Sequence, residues 1–180
     1  MNISYVHASK FGNGAAVAAE FRTRMASRGV AVDVHHFREL KPAELSPADL
    51  YVFSSPGRMG RPLGGMRRFL KRLQLPAGTR YAVLTTEMAS PADDDPASRQ
   101  RVRPIMNEIL LGKGLVRVAD AAIHVTGLRG PLEDDWREKV EAFASRVAAG
   151  DDQPERVPVG HASPEPDDGS HTPPHGDPLR

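Results

Sequence analysis

Three short segments of the chain combine glycine with hydroxyl, amide or basic side chains, directly after apolar runs typical of buried strands. The first of them, called the first loop here, consists of Ser9, Lys10, Phe11, Gly12, Asn13 and Gly14. Its glycines and small polar residues place several main-chain N–H groups at the start of a predicted helix, where phosphate binds well. The G-x-x-x-x-G-K-S/T and G-x-G-x-x-G spacings are both missing. Taken alone, the first loop fits a phosphate site and a ligand-free turn equally well.

The other two segments also follow predicted strands directly. The second, from Ser54 to Pro62, begins with Ser54, Ser55, Pro56, Gly57, Arg58, Met59 and Gly60. It is longer than a plain connection requires, and its glycines allow the main chain to approach a planar ligand closely. The third loop is predicted to run from Thr85 to Ser90 after the fourth strand, and its first four residues, Thr85, Thr86, Glu87 and Met88, are called the third segment here. It leads into Asp93, Asp94 and Asp95, which we interpret as a solvated approach to a helix.

Short apolar strands alternate with amphipathic helices along the first 150 residues. Five runs are strand-like: residues 3–6, 30–34, 50–53, 81–84 and 121–125. Four apolar stripes recur at helical spacing: Val17, Phe21 and Met25; Met66, Phe69, Leu70 and Leu73; Val102, Ile105, Met106, Ile109 and Leu110; and Leu132, Trp136, Val140, Phe143 and Val147. Pro131 and the acids at 133–135 are predicted to lie in the first turn of the last helix. Pro42 and Pro47 leave residues 38–49 room for a turn or two of helix.

This alternation predicts a doubly wound α/β domain over residues 1–149, with a five-stranded parallel sheet and helices on both faces. Near-continuous apolar runs suit strands that are buried on both sides. Ligands of such sheets bind at the carboxyl ends of the strands. The three segments are therefore expected to meet at one edge of the sheet.

The motifs Ser-x-x-Gly-Asn-Gly, Ser-Ser-Pro-x-x-x-Gly and Thr-Thr-Glu, each after a strand, resemble the three flavin mononucleotide (FMN) loops of the flavodoxin family. The resemblance covers roughly residues 1–149. It implies the strand order 2-1-3-4-5 and FMN as the cofactor. It further implies that residues 9–14 hold the phosphate, that residues 54–60 run along one edge of the isoalloxazine, and that residues 85–88 flank its pyrimidine end. A peptide flip towards flavin N5 is expected at Gly57 first and at Gly60 second.

The chain departs from the family pattern in three respects. Phe11 and Gly14 stand where hydroxyl residues are usual, so main-chain N–H groups would do most of the phosphate binding. The second and third segments have no aromatic residue, so Met59, Met88 and Phe11 would have to cover the flavin. Electron-carrier flavodoxins are acidic, whereas residues 1–150 hold 22 bases and 16 acids, a net charge of +6.

The last 30 residues differ in composition from the rest. Residues 151–180 hold seven acids, two bases, seven prolines and no aromatic residue, a net charge of −5. Such a segment buries too little apolar surface to offset its ordering entropy, so we predict a disordered acidic tail over 150–180. The chain has no cysteine, which excludes disulfides, thiolate zinc sites, iron–sulfur clusters and a cysteine nucleophile. No transmembrane run or secretory signal is recognisable, so a cytoplasmic location is expected.

Basic side chains concentrate in and after the second segment. Arg67, Arg68, Lys71 and Arg72 fall opposite an apolar stripe and are predicted to form a solvated helix face. Arg58 and Arg61 lie in the segment itself, where they suit a reduced flavin or an anionic substrate. Nucleic-acid binding is not expected, because no aromatic residue is interleaved with these bases.

These observations predict an FMN-binding redox protein. It would transfer electrons to a redox partner protein, or act as an FMN-dependent oxidoreductase similar to the flavodoxin-like enzymes that oxidise quinone-like or porphyrin-like substrates. The alternative is a flavodoxin-like interaction module that binds no flavin. No metal site is expected, because His7, His35, His36 and His124 lack metal-ligand spacing.

Overall fold

The computed structural model of the protein describes residues 1–88, 101–127 and 129–150. The strands are β1 (Asn2–His7), β2 (Ala31–His36), β3 (Leu50–Ser54), β4 (Gly57–Arg58), β5 (Arg61–Pro62), β6 (Arg80–Met88) and β7 (Val116–Val125). The helices are α1 (Asn13–Ala26), α2 (Gly64–Lys71), α3 (Val102–Leu111) and α4 (Trp136–Ala149). The predicted acidic tail and the acids at 93–95 lie outside the described residues.

Five of the strands form one parallel sheet in the order β2-β1-β3-β6-β7. Strands β4 and β5 form a separate antiparallel hairpin, so β6 and β7 are the fourth and fifth strands of the sheet. The order of the sheet is therefore the predicted 2-1-3-4-5. The doubly wound fold with helices on both faces is therefore confirmed. The switch in strand order falls between β1 and β3, which is where ligands of such sheets bind.

Each face of the sheet has its own apolar core because alternate strand residues point to opposite sides. Ile3, Tyr5 and Val52 belong to the core that includes residues of α1 and α4. Val6 and Phe53 belong to the core that includes residues of α2 and α3. The helical stripes supply the other half of each core, as predicted.

The second crossover contains only a short 3-10 helix, Phe37–Glu39, as its prolines predict. Phe37 nevertheless fills space at the edge of one core. Its ring centroid lies 6.2 Å from that of Phe69, and a Cβ on Gly65 would approach its Cζ to 2.8 Å. Phe37 thus covers part of the core at a place where a crossover helix would otherwise pack.

Two predicted boundaries were wrong. The third segment is not a loop, because β6 continues through residue 88. Helix α4 begins at Trp136, so Pro131 and the acids at 133–135 precede its first turn. Glu133 is instead bound to β7, where its Oε1 accepts the main-chain N–H of His124 at 2.6 Å.

Candidate functional site

The first loop leads into α1 through a left-handed glycine. Gly12 is the N-cap residue, with φ +94°, and its N–H donates to Ser9 Oγ at 3.2 Å. No side chain of the described residues caps α1. The main-chain N–H groups at the positive end of the α1 dipole therefore have no side-chain acceptor among the described residues.

Gly14 lets the start of α1 lie directly against the end of β1. A Cβ at this position would lie 2.8 Å from the carbonyl oxygen of Ala8, so any side chain would push the helix away. This glycine therefore fixes the position of the helix N-terminus relative to the sheet.

Two cations lie beside the exposed ring of Phe11. Lys10 Nζ lies 5.3 Å and Arg129 Cζ 5.7 Å from the ring centroid, both within cation–π range. The side-chain amide of Asn13 donates to the carbonyl oxygen of Arg129 at 3.3 Å. Lys10 and Arg129 thus place positive charge at the first loop.

The second segment forms the β4–β5 hairpin, whose tip consists of Met59 (φ 52°) and Gly60 (φ 71°). Its base is fixed by Ser55, whose Oγ accepts the N–H of Leu63 at 3.1 Å. Gly57 lies in β4 and packs on α3, because a Cβ there would lie 2.9 Å from Val102 Cγ2. Ser54 ends β3, and its carbonyl accepts the N–H of Ala8 at 2.9 Å.

The third segment is the end of a buried strand. Thr86 N–H donates to the carbonyl of Ser55 at 3.3 Å, which joins β6 to the base of the hairpin. Glu87 is 5% exposed; its Oε1 accepts Thr85 Oγ1 at 2.5 Å and lies 3.8 Å from Arg103 Nε. Tertiary partners of this kind allow polar residues to remain in the sheet.

One cleft of about 170 Å³ lies between these segments at the carboxyl edge of the sheet. Ten predicted site residues line it: Ser9, Lys10, Phe11, Asn13, Gly14, Pro56, Gly57, Arg58, Thr86 and Met88. Seven predicted site residues do not: Gly12, Ser54, Ser55, Met59, Gly60, Thr85 and Glu87. The structure therefore brings parts of all three segments together around one opening.

Sequence reasoning missed two lining residues, Leu63 and Val125, and the nearby Arg129. Leu63 precedes α2 directly, and Val125 ends the last strand of the sheet. Both positions follow from the rule that loops at the carboxyl edge line the ligand site. No comparable signal marks Arg129, whose place depends on the Asn13 hydrogen bond.

A histidine pair lies at the carboxyl ends of β1 and β2. The rings of His7 and His36 meet edge to face, with centroids 5.4 Å apart. His7 is 9% exposed, and its Nδ1 has no hydrogen-bond partner among the described residues. Burial first, and then the neighbouring His36, lower the pKa of His7, although Glu39 acts in the opposite direction. His7 is therefore favoured in its neutral form.

The described residues hold no cluster of three or more His, Asp or Glu side chains that could bind a metal ion. Nor is any described helix long and apolar enough to cross a membrane.

Comparison with solved structures identifies the fold. The chain is similar to a flavodoxin from the domain Archaea, with a TM-score of 0.64 and 19% identity over 83% of this chain and 97% of that one. It is similar to flavodoxin 1 of Bacillus cereus, with a TM-score of 0.65 and 17% identity over 83% and 98% of the two chains. It also matches 35% of rubredoxin oxygen:oxidoreductase from Desulfovibrio gigas, with a TM-score of 0.63 and 14% identity over 82% of this chain.

No protein-family model matches the sequence, and no curated protein matches it. The structural matches nevertheless span nearly the whole of both flavodoxins. The chain has a flavodoxin-like fold, as its three motifs predict.

Proposed function

We propose that this protein binds FMN non-covalently in the cleft and transfers electrons, either to a partner protein or to a small quinone-like or porphyrin-like substrate. The observation that carries the proposal is the single cleft shared by the first loop, the hairpin and the end of β6. The similarity of the fold to flavodoxins supports the same cofactor.

The residues at the cleft fit the chemistry of FMN. The uncapped start of α1, with Lys10 and Arg129 beside it, suits a phosphate dianion. Phe11 and Met88 are 45% and 47% exposed, and they offer apolar surface to a planar ring.

When bound, FMN would supply the redox chemistry, and the protein would set its orientation and electrostatic environment. Arg58, which lines the cleft, and Arg61, opposite it on the hairpin, would favour the more negative reduced state. The fixed strand β6 would hold one side of the ring, and the hairpin would cover another.

An interaction module without flavin remains the second candidate. The observation in its favour is the first loop itself, which has Phe11 and Gly14 in place of hydroxyl donors. Both candidates share the same fold, so only ligand binding separates them.

Absorbance spectroscopy of the purified full-length protein tests the proposal. We expect the two visible bands of oxidised flavin, either as isolated or after addition of FMN followed by gel filtration. A protein that retains no flavin after FMN addition would favour the interaction module.

A further inference from the structure

The β4–β5 hairpin combines three features that are locally unfavourable. Arg58 and Arg61 are directly opposite each other across its two strands, and like charges in this position destabilise a hairpin. Met59 at the tip has a φ of 52°, a left-handed conformation that is unfavourable for a residue with a Cβ. Its side chain is also 94% exposed.

The tip is firmly built despite this cost. The N–H of Arg101 donates to the carbonyl of Gly60 at 2.8 Å, and Gly57 packs against Val102. The exposure of Met59 is therefore not a consequence of a loosely held loop. Local rules are broken mainly at functional or strained positions, so the tip is a candidate functional surface.

The surroundings of the tip define the chemistry of that partner. Three of the four exposed large apolar side chains of the described residues lie in or next to the cleft lining: Phe11 and Met88 line the cleft, and Met59 directly follows the lining residue Arg58. Four cations belong to the same region: Lys10 and Arg58 line the cleft, Arg129 lies beside Phe11, and Arg61 is opposite Arg58 on the hairpin. Together with the three apolar side chains they are called the mouth of the cleft here. Within residues 1–88, 101–127 and 129–150, no carboxylate forms an ion pair with any of these four.

We propose that this mouth, with Met59 at the hairpin tip between Arg58 and Arg61, is a docking surface for an acidic protein. Methionine and arginine are enriched at protein interfaces, and guanidinium groups pair with carboxylates in a bidentate geometry. A small anion would need only the cleft, whereas Met59 lies outside the cleft lining. The inference that this partner is a redox partner rests on the proposed function. The binding of an acidic chain to this surface is tested without flavin.

Methyl NMR of the full-length protein provides the test, because the six methionines include both probes and references. Met59 and Met88 report on the mouth, while Met25, Met66 and Met106 are fully buried. Titration with poly-L-glutamate at about 0.01 M ionic strength should shift the Met59 methyl signal and leave the buried three in place. The shift should weaken at about 0.1 M.

Two double variants with the same change in net charge locate the effect. Arg58→Gln with Arg61→Gln should weaken poly-L-glutamate binding about fivefold. Arg68→Gln with Arg72→Gln, at exposed positions in α2 and directly after it, should change binding less than about twofold. Equal losses in the two variants would overturn the proposal, since they would indicate attraction to the overall charge.

Other occupants give different results. Free glutamate that shifts Met59 as strongly as the polymer would indicate a small-anion site and overturn the proposal. A single-stranded oligonucleotide of equal charge that binds more tightly would also overturn it. So would a shift of Met59, without any ligand, when the seven acids of residues 151–180 are changed to amides, because the chain's own tail would then be the occupant.

The outcome is separable from that of the flavin experiment. A protein that shifts Met59 with poly-L-glutamate but takes up no FMN would support the docking surface and contradict the proposed function. A protein that binds FMN but gives no Met59 shift would overturn the docking surface alone.

Discussion

The side-chain amide of Asn13 donates a hydrogen bond to the main-chain carbonyl of Arg129 at 3.3 Å, which joins the first loop to the segment after β7. Gly130 (φ +109°) follows directly, and a Cβ there would lie 3.1 Å from both terminal atoms of the Asn13 amide. Asn13 thus keeps this segment beside the N-terminus of α1. The guanidinium of Arg129 consequently lies next to Phe11, where we propose that phosphate binds.

Arg129→Gln should weaken FMN binding about fivefold, or about 1 kcal/mol, because it removes a cation beside the proposed phosphate site. Riboflavin has no phosphate, so its affinity should stay unchanged in the same variant. Fluorescence titration with both flavins measures the difference, with Arg72→Gln as the control. Equal losses for FMN and riboflavin would assign Arg129 to the ring or to the fold rather than to the phosphate.

Gly12→Ala should lower FMN affinity about tenfold, or about 1.4 kcal/mol. The reason is conformation and not space: Gly12 has φ +94°, and a Cβ there would meet nothing within 4 Å. Gly29 is a matched control, because it has φ +72° with equally open surroundings near the opposite end of α1. Gly29→Ala should cost similar stability, roughly 1–2 kcal/mol, without affecting FMN. An unchanged FMN dissociation constant in Gly12→Ala would contradict the role of the first loop.

Gly57→Ala should destabilise the fold by roughly 1–3 kcal/mol, because the new Cβ would lie 2.9 Å from Val102 Cγ2. Val102→Ala removes that methyl group and should restore part of the loss when the two substitutions are combined. Urea unfolding of the four proteins in the double-mutant cycle measures the coupling. Strictly additive effects would show that the hairpin and α3 do not pack as described.

Acidification should reduce stability through His7. Its pKa is lowered in the folded state, mainly by burial, so the unfolded chain binds more protons just below the ordinary value of 6.5. This contribution is complete above that value and is lost as the pH falls through the window down to the folded pKa. The free energy of unfolding should therefore fall less steeply between about pH 8 and about pH 5 in His7→Gln than in the wild type. His35→Gln, outside the His7–His36 ring contact, serves as the control; an unchanged slope in His7→Gln would exclude His7 as the source.

The strands of the sheet and the helices were predictable because apolar periodicity reports directly on which side chains are buried. The strand order was predictable only from the resemblance of the three motifs to the flavodoxin family. The end of β6 was not, because Thr85, Thr86 and Glu87 read as a polar loop. Contacts with residues distant in sequence hold this end of the strand: the main-chain N–H of Thr86 donates to the Ser55 carbonyl, and the Glu87 carboxylate lies beside Arg103. A local pattern contains no record of such partners.

The same limit applies to the candidate site. The three segments were recognisable from glycine and polar residues after strands, yet the sequence did not predict that the second segment forms a hairpin. Its turn depends on Met59 in a left-handed conformation, which glycine or asparagine usually occupies. Whether FMN occupies the cleft remains a prediction.

The hairpin is joined to α3 at two successive residues, through the Gly60–Arg101 hydrogen bond and the Gly57–Val102 contact. A ligand that turns the Gly60–Arg61 peptide would move the Gly60 carbonyl, to which the Arg101 amide donates. The exchange rate of that amide proton with solvent would then differ between the empty and the filled cleft. The chain therefore contains a natural reporter of occupancy at the start of α3, readable without modifying any residue that touches the ligand.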